Sequence, residues 1–247
     1  MKIKGILLDI NGTVADILTD EGCDDVYRMM SNLLDYQGIK LSAGEFRKLF
    51  FETAKQQKQD SGQEHPEFDA VGIFSRLLVA HAGEYTRTLP HEKLRMLPQF
   101  LAEAYRAATR FKLETYADVK PVLESLRGRY RLAAVSDAQA VWAIPELWSL
   151  GLEHCFETVV ISSDYGCRKP NPRLFAAALD KLDMRPEDVV FVGNDMYRDV
   201  WGAHEAGMKT VFFRSNQGDW RSRGVEADYI IYNFRELPAA VEFLERN

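Results

Sequence analysis

Short runs of apolar, often β-branched residues recur along the chain, each ending at a polar residue and followed by helical periodicity. The clearest are Ile3 to Asp9, Leu132 to Ser136, Thr158 to Ser162, Val189 to Gly193 and Thr210 to Phe213, with a weaker run at Tyr229 to Ile231. Near-continuous apolar strands alternating with helices belong to a parallel sheet covered on both faces. The pattern predicts an α/β fold built on a doubly wound parallel sheet.

Between the first two runs, from Asp16 to Thr109, no strand pattern stands out and helical spacing takes over. Val26, Met29, Met30, Leu33 and Leu34 share one helical face, and Ser42-Ala43-Gly44-Glu45 fits a capping box ahead of Phe46, Leu49 and Phe50. Further helices are expected around Phe68 to Val79 and Glu92 to Ala108, with Pro98 as a kink or boundary. The polar stretch Gln56 to Pro66 reads as a loop. The interval is therefore expected to be an all-α insertion of about four helices.

The 247 residues are 46% hydrophobic and 28% charged, a balance that can bury a large core and excludes a disordered chain. The 31 Lys and Arg against 37 Asp and Glu leave a net charge of −6, which argues against nucleic acid as a partner. No apolar stretch approaches the roughly 18 residues of a membrane span. The N-terminal apolar run is too short for a signal peptide and meets a charge at Asp9. A cytoplasmic protein without a membrane partner is expected; oligomeric state is not readable. Cys23, Cys155 and Cys167 lack the spacing of a zinc site and read as thiols without a chemical role.

Ligands of an open parallel sheet bind beyond the carboxyl ends of its strands. Asp9-Ile10-Asn11-Gly12-Thr13 follows the first strand, and a carboxylate beside a Gly turn with exposed N–H groups suits attack on an electrophile. An Asp ending a strand before an Asn-Gly turn is an equally simple account. Ser136 could donate to a phosphate oxygen or cap a helix, with Asp137 beside it. Lys169, in Cys167-Arg168-Lys169-Pro170-Asn171-Pro172, could face a bound anion or solvent. Asp195 and Asp199, one helical turn apart, could face a single hard cation such as Mg²⁺ or serve the helix dipole. Taken together, a carboxylate, a hydroxyl, a cation and a metal site describe a phosphoryl-transfer centre.

With all four segments in order, the sequence resembles the haloacid dehalogenase (HAD) superfamily of hydrolases. LLDINGT resembles motif I, AAVSD motif II, CRKPNP motif III and FVGNDMYRDVWGAHEAGM motif IV. The resemblance implies a Rossmann-like core over residues 1–15 and 110–247, with residues 16–109 as a C1 helical cap that contributes to substrate choice. It implies a Mg²⁺-dependent phosphatase of small phosphorylated metabolites with Asp9 as nucleophile, forming an aspartyl-phosphate. Ser136 and Lys169 would hold the phosphoryl group, with Gly12, Thr13 and Asp137 beside them. Asp9, the Asn11 carbonyl and Asp195 or Asp199 would form the metal shell. The family's phosphatases often carry an acid directly after the motif IV glycine, where this chain has Asn194, so the direct ligand among Asn194, Asp195 and Asp199 stays open.

Those phosphatases usually carry Asp two residues after the nucleophile, as the general acid and base; here that residue is Asn11. An amide has no exchangeable proton near neutral pH, and the lost role is worth about 10²–10⁴-fold. Three readings follow: a phosphatase that is slow or limited to good leaving groups, a metal-independent dehalogenase-like enzyme, and a catalytically weak phosphate or protein binder. A separate possibility is deamidation at Asn11-Gly12, which would yield some Asp at position 11.

Overall fold

The computed structural model describes residues 2–246. The chain runs β1 (Gly5–Leu8), β2 (Ala15–Thr19), α1 (Asp24–Asp35), α2 (Ala43–Asp60), α3 (Ala70–His81), α4 (Glu84–Thr88), α5 (His91–Thr109), β3 (Arg110–Thr115), α6 (Val119–Arg127), β4 (Arg131–Ser136), α7 (Ala140–Leu150), β5 (Thr158–Ile161) and α8 (Pro172–Leu182). It continues through β6 (Val189–Gly193), a π-helical turn (Met196–Trp201) leading into α9 (Gly202–Glu205), β7 (Lys209–Phe213), β8 (Tyr229–Ile231) and α10 (Leu237–Arg246).

Six strands form one sheet in the order β5-β4-β1-β6-β7-β8, all pairs parallel. Alternation along the strands sends Ile6, Leu8, Leu132, Ala134, Val190 and Val192 to one face, where α6, α7 and α10 cover them. Leu7, Ala133, Val135, Val160 and Phe191 go to the other face, against α8 and α9. Burial of both faces is why these strands read as continuous apolar runs. The doubly wound α/β core is thus present as the pattern predicts.

The chain divides into two compact parts, one of Met1–Ile17 with Leu113–Asn247 and one of Leu18–Lys112. The second part carries α1 to α5, so the count is five helices rather than four; α4, five residues long, is too short to show a period. Its core includes an aromatic cluster of Tyr27, Phe46, Phe50, Phe74 and Tyr105. The Ser42/Glu45 capping box forms. Two expectations hold only in part. The stretch from Gln56 is helical as far as Asp60, because Gln and Lys are good helix formers and continue α2. Pro98 lies within α5 and is buried, its ring serving the interior instead of ending the helix.

β2 and β3 pair with each other as a two-stranded sheet, so the interval after Asp9 does contain a strand. No helix among the described residues is long and apolar enough to cross a membrane. Cys23, Cys155 and Cys167 form no disulfide, and the last two are buried.

Candidate active site

β4, β1 and β6 are neighbours, which brings the residues after their carboxyl ends together. Asp9 follows β1 and donates its N–H to the Val192 carbonyl of β6 at 2.9 Å. The Ile10 carbonyl then accepts from the N–H groups of Thr13, Val14 and Ala15, closing a tight turn. Gly12 at its apex has φ +86°, and a Cβ there would sit 2.1 Å from the Asn194 side-chain nitrogen. Only glycine meets both conditions. Asn11 is half-buried in the same turn and bridges to Ala15.

Lys169 lies in the loop before α8, whose start Asn171 caps with Pro172 in the first turn. It is 3% exposed, and its Nζ lies 2.7 Å from Asp9 Oδ1 and 2.6 Å from Asp199 Oδ1. Burial opposes the lysine charge, but Asp199, Asp9 and Asp137 together outweigh it and hold the ammonium well above its ordinary range. For Asp199, burial pushes the carboxyl up to about 6 against the attraction of Lys169. Asp199 Oδ2 accepts the N–H groups of Asn194 and Asp195, each at 3.0 Å. That approach needs Gly193, where a Cβ would lie 2.4 Å from Asp199.

Asp195 and Asp199 do not face one point. Asp195 folds back as the cap of its own turn, accepting from the N–H groups of Tyr197 and Arg198 at 3.0 and 2.8 Å. Its second oxygen takes the Arg198 guanidinium at 2.8 to 2.9 Å. Arg198 and the capping N–H groups hold this carboxyl below its usual range despite burial, the largest opposing influence. Among the described residues no group of three or more His, Cys, Asp or Glu is arranged to hold a metal.

The oxygens that converge are different ones. Thr13 Oγ1 lies 3.5 Å from Asp9 Oδ2 and 3.3 Å from Asn194 Oδ1. One hydroxyl proton cannot serve two acceptors at once, so this oxygen pair has acceptor capacity to spare, as a hard cation requires. Ser136 ends β4 fully buried, and its Oγ has no hydrogen-bond partner. A buried hydroxyl in that state is a donor waiting for a ligand. The Asp137 carboxylate turns away to accept the Lys169 backbone N–H at 2.8 Å, with Arg168 and Arg198 3.7 and 3.6 Å from its other oxygen.

Four carboxylates, those of Asp9, Asp137, Asp195 and Asp199, meet three cations, Arg168, Lys169 and Arg198. The array carries one net formal negative charge, so a phosphate dianion needs further positive charge beside it. Three residues escaped the sequence reading. Arg198 balances Asp195 and Asp137, and its only signal is a basic residue between two acids. Ser215 and Asp219, in the loop after β7, brace the other side: Ser215 Oγ accepts from Asn194 Nδ2 at 3.5 Å, and the Asp219 carbonyl accepts from Met196 N–H at 2.8 Å. That loop shows only turn composition.

This fold and this set of strand-end residues define a class. The sequence matches the family of haloacid dehalogenase-like hydrolases over residues 6–213, and the chain belongs to it. Among curated relatives it is 43% identical over 103 residues to the glyceraldehyde 3-phosphate phosphatase of Methanopyrus kandleri, covering 41% of this chain and 44% of that one. It is 34% identical over 128 residues to the enzyme of the same name from Pyrococcus furiosus, covering 51% and 52%. The chain thus spans about half the length of these relatives. Among solved structures, a HAD phosphatase from Thermococcus onnurineus aligns with TM-score 0.60 and 26% identity over 96% of this chain and 97% of that one. A 2-haloacid dehalogenase from Pseudomonas syringae aligns with TM-score 0.69 at 19% identity, over 98% and 99%, and shares the fold.

Proposed function

We propose that the protein is a Mg²⁺-assisted phosphatase of a small phosphorylated metabolite in the cytoplasm, with Asp9 as the nucleophile. The observation that carries this reading is the buried Asp9–Lys169–Asp199 array, together with a buried Ser136 hydroxyl without a partner at the end of the neighbouring strand β4. Asp199 holds Lys169, Lys169 holds Asp9, and the Lys169 ammonium and Ser136 Oγ bind the non-bridging oxygens of the phosphoryl group. Asp9 then attacks phosphorus from a fixed position, which removes most of the orientational barrier. Gly12 and Thr13 form the turn that keeps Asp9 there, and Asp137 secures the Lys169 backbone.

The donor set fits a hard cation at Asp9, the Asn11 backbone carbonyl and Asn194, whereas Asp195 and Asp199 are committed to Arg198 and Lys169. Bound there, Mg²⁺ would supply the positive charge that the array lacks. The helical part, Leu18–Lys112, takes the cap's share in substrate choice, on its place in the sequence after motif I.

The test is a panel of phosphorylated metabolites and haloacids assayed with and without Mg²⁺. Phosphate release that needs the metal and disappears in Asp9→Asn is the expected result. Halide release without metal would replace this reading with attack at carbon, and silence on the whole panel would leave a binding protein.

A further inference from the structure

The phosphatase reading has two chemical halves, and the site is equipped for them unequally. In the first half the Asp9 carboxylate attacks phosphorus; the P–O bond to the leaving group breaks, and its electron pair departs with that group. In the second, water attacks the phosphorus of the aspartyl-phosphate, the P–Oδ bond breaks, and its pair returns to Asp9. The water must lose a proton as it attacks, so this half needs a base.

Among the described residues of the core, no carboxylate or imidazole is left as a spare base beside Asp9. Asn11 is an amide. Asp199 has one oxygen on Lys169 and the other on two backbone N–H groups. Asp195 is occupied by Arg198 and the N–H groups of its own turn. Asp137 takes the Lys169 N–H and faces two guanidinium groups. Asp16 accepts from Gln217 at 2.9 Å. The core's histidines stand elsewhere: His154 precedes β5, and His204 is exposed on α9. Each of these carboxylates is spent on holding a cation, a backbone group or an amide in place.

Resting on the phosphatase reading, we infer that Asp9 is phosphorylated faster than it is dephosphorylated, so that the protein stores a phosphoryl group as a covalent aspartyl-phosphate. Its effective donors are phosphates whose leaving groups depart without a proton, acyl and aryl phosphates above all. The stored group passes more readily to a nucleophile stronger than water, which makes the protein a phosphotransferase as well as a slow hydrolase. With such donors the first half needs no general acid, while the second still lacks about 10²–10⁴-fold from the absent base.

The full chain with Mg²⁺ and excess p-nitrophenyl phosphate tests this. Nitrophenolate should appear in a burst approaching one equivalent per chain, followed by a slow steady rate. Intact mass at the end of the burst should show one added phosphoryl group, absent from Asp9→Asn. Hydroxylamine, which attacks the acyl carbon of an acyl phosphate and expels the phosphate, should remove the added phosphoryl group after the burst and leave Asp9 as its hydroxamate, ending turnover in the parent protein. Asn11→Asp should lose the burst and gain steady rate, by up to about 10²–10⁴-fold. Linear release from the first turnover, with unmodified mass, would overturn the stored intermediate and leave the phosphatase reading standing. No nitrophenolate from either the parent or Asn11→Asp would overturn both.

Discussion

Lys169 is the side chain on which the site's electrostatics turn. It is buried between two carboxylates whose repulsion it cancels, at 2.7 and 2.6 Å. Lys169→Met keeps the volume of the stem but leaves Asp9 and Asp199 facing each other without a counter-charge. Removing one partner of a buried ionic group costs about 3–5 kcal/mol. The urea midpoint should fall accordingly and turnover should vanish. Lys169→Arg should not restore activity, because the planar fork cannot present one point charge to both carboxylates. An unchanged midpoint in Lys169→Met would mean that water, not this lysine, balances the pair.

Pairing of the last strand depends on a local ionic clasp. Asp228, just before β8, accepts from the Thr210 N–H at 2.8 Å, the Thr210 hydroxyl at 3.1 Å and Lys209 Nζ at 2.7 Å, all at the start of β7. Burial raises this carboxyl, but Lys209 and Thr210 outweigh it and bring it below its ordinary value of 3.8. A carboxyl held low in the fold stabilises above the unfolded value and loses that contribution as pH falls through the folded one. Asp228→Asn should therefore cost about 1 kcal/mol near neutral pH, part of the ionic gain being screened at this partly exposed position. The gap between variant and parent should close below about pH 4. Thermal melts across that range provide the check.

Each of the two compact parts has its own interior, and they report through different probes. Trp142, Trp148, Trp201 and Trp220 are the four tryptophans, and all lie in the part that includes Leu113–Asn247. Far-ultraviolet circular dichroism sees the helices of both parts. Phe46 is fully buried in the aromatic cluster of the helical part, stacked on Phe74 at 5.9 Å. Phe46→Ala should remove about 3–5 kcal/mol there. The dichroism transition should then move to lower urea, ahead of tryptophan fluorescence. Coincident transitions in the variant would show that the two parts unfold as one cooperative body.

Much of this was legible in the chain itself. Strands buried on both faces must be apolar throughout, so β1 and β4 to β8 stood out between polar breaks. The breaks fell at strand ends, where Asp9 and Ser136 drew notice by interrupting the pattern, while Lys169 stood out in the segment entering a Pro-started helix. β2 and β3 left no such trace: RFKLET mixes charge with apolar residues, and its partner lies some 90 positions earlier, at Ala15–Thr19. A pairing of that kind is set by long-range contact, not by local composition. The roles of the motif IV acids were equally hidden. Spacing put Asp195 and Asp199 on one helical face, but Asp195 is also the first residue able to cap the turn. Hydrogen bonds to its own N–H groups and to Arg198 draw it away from the site. Asp199 reaches Lys169 because the loop before α8 carries that lysine across the end of the sheet. Sequence determines which groups are present and how often they recur along an element. Where each carboxylate spends its charge depends on which donors the folded chain brings within 3 Å of it.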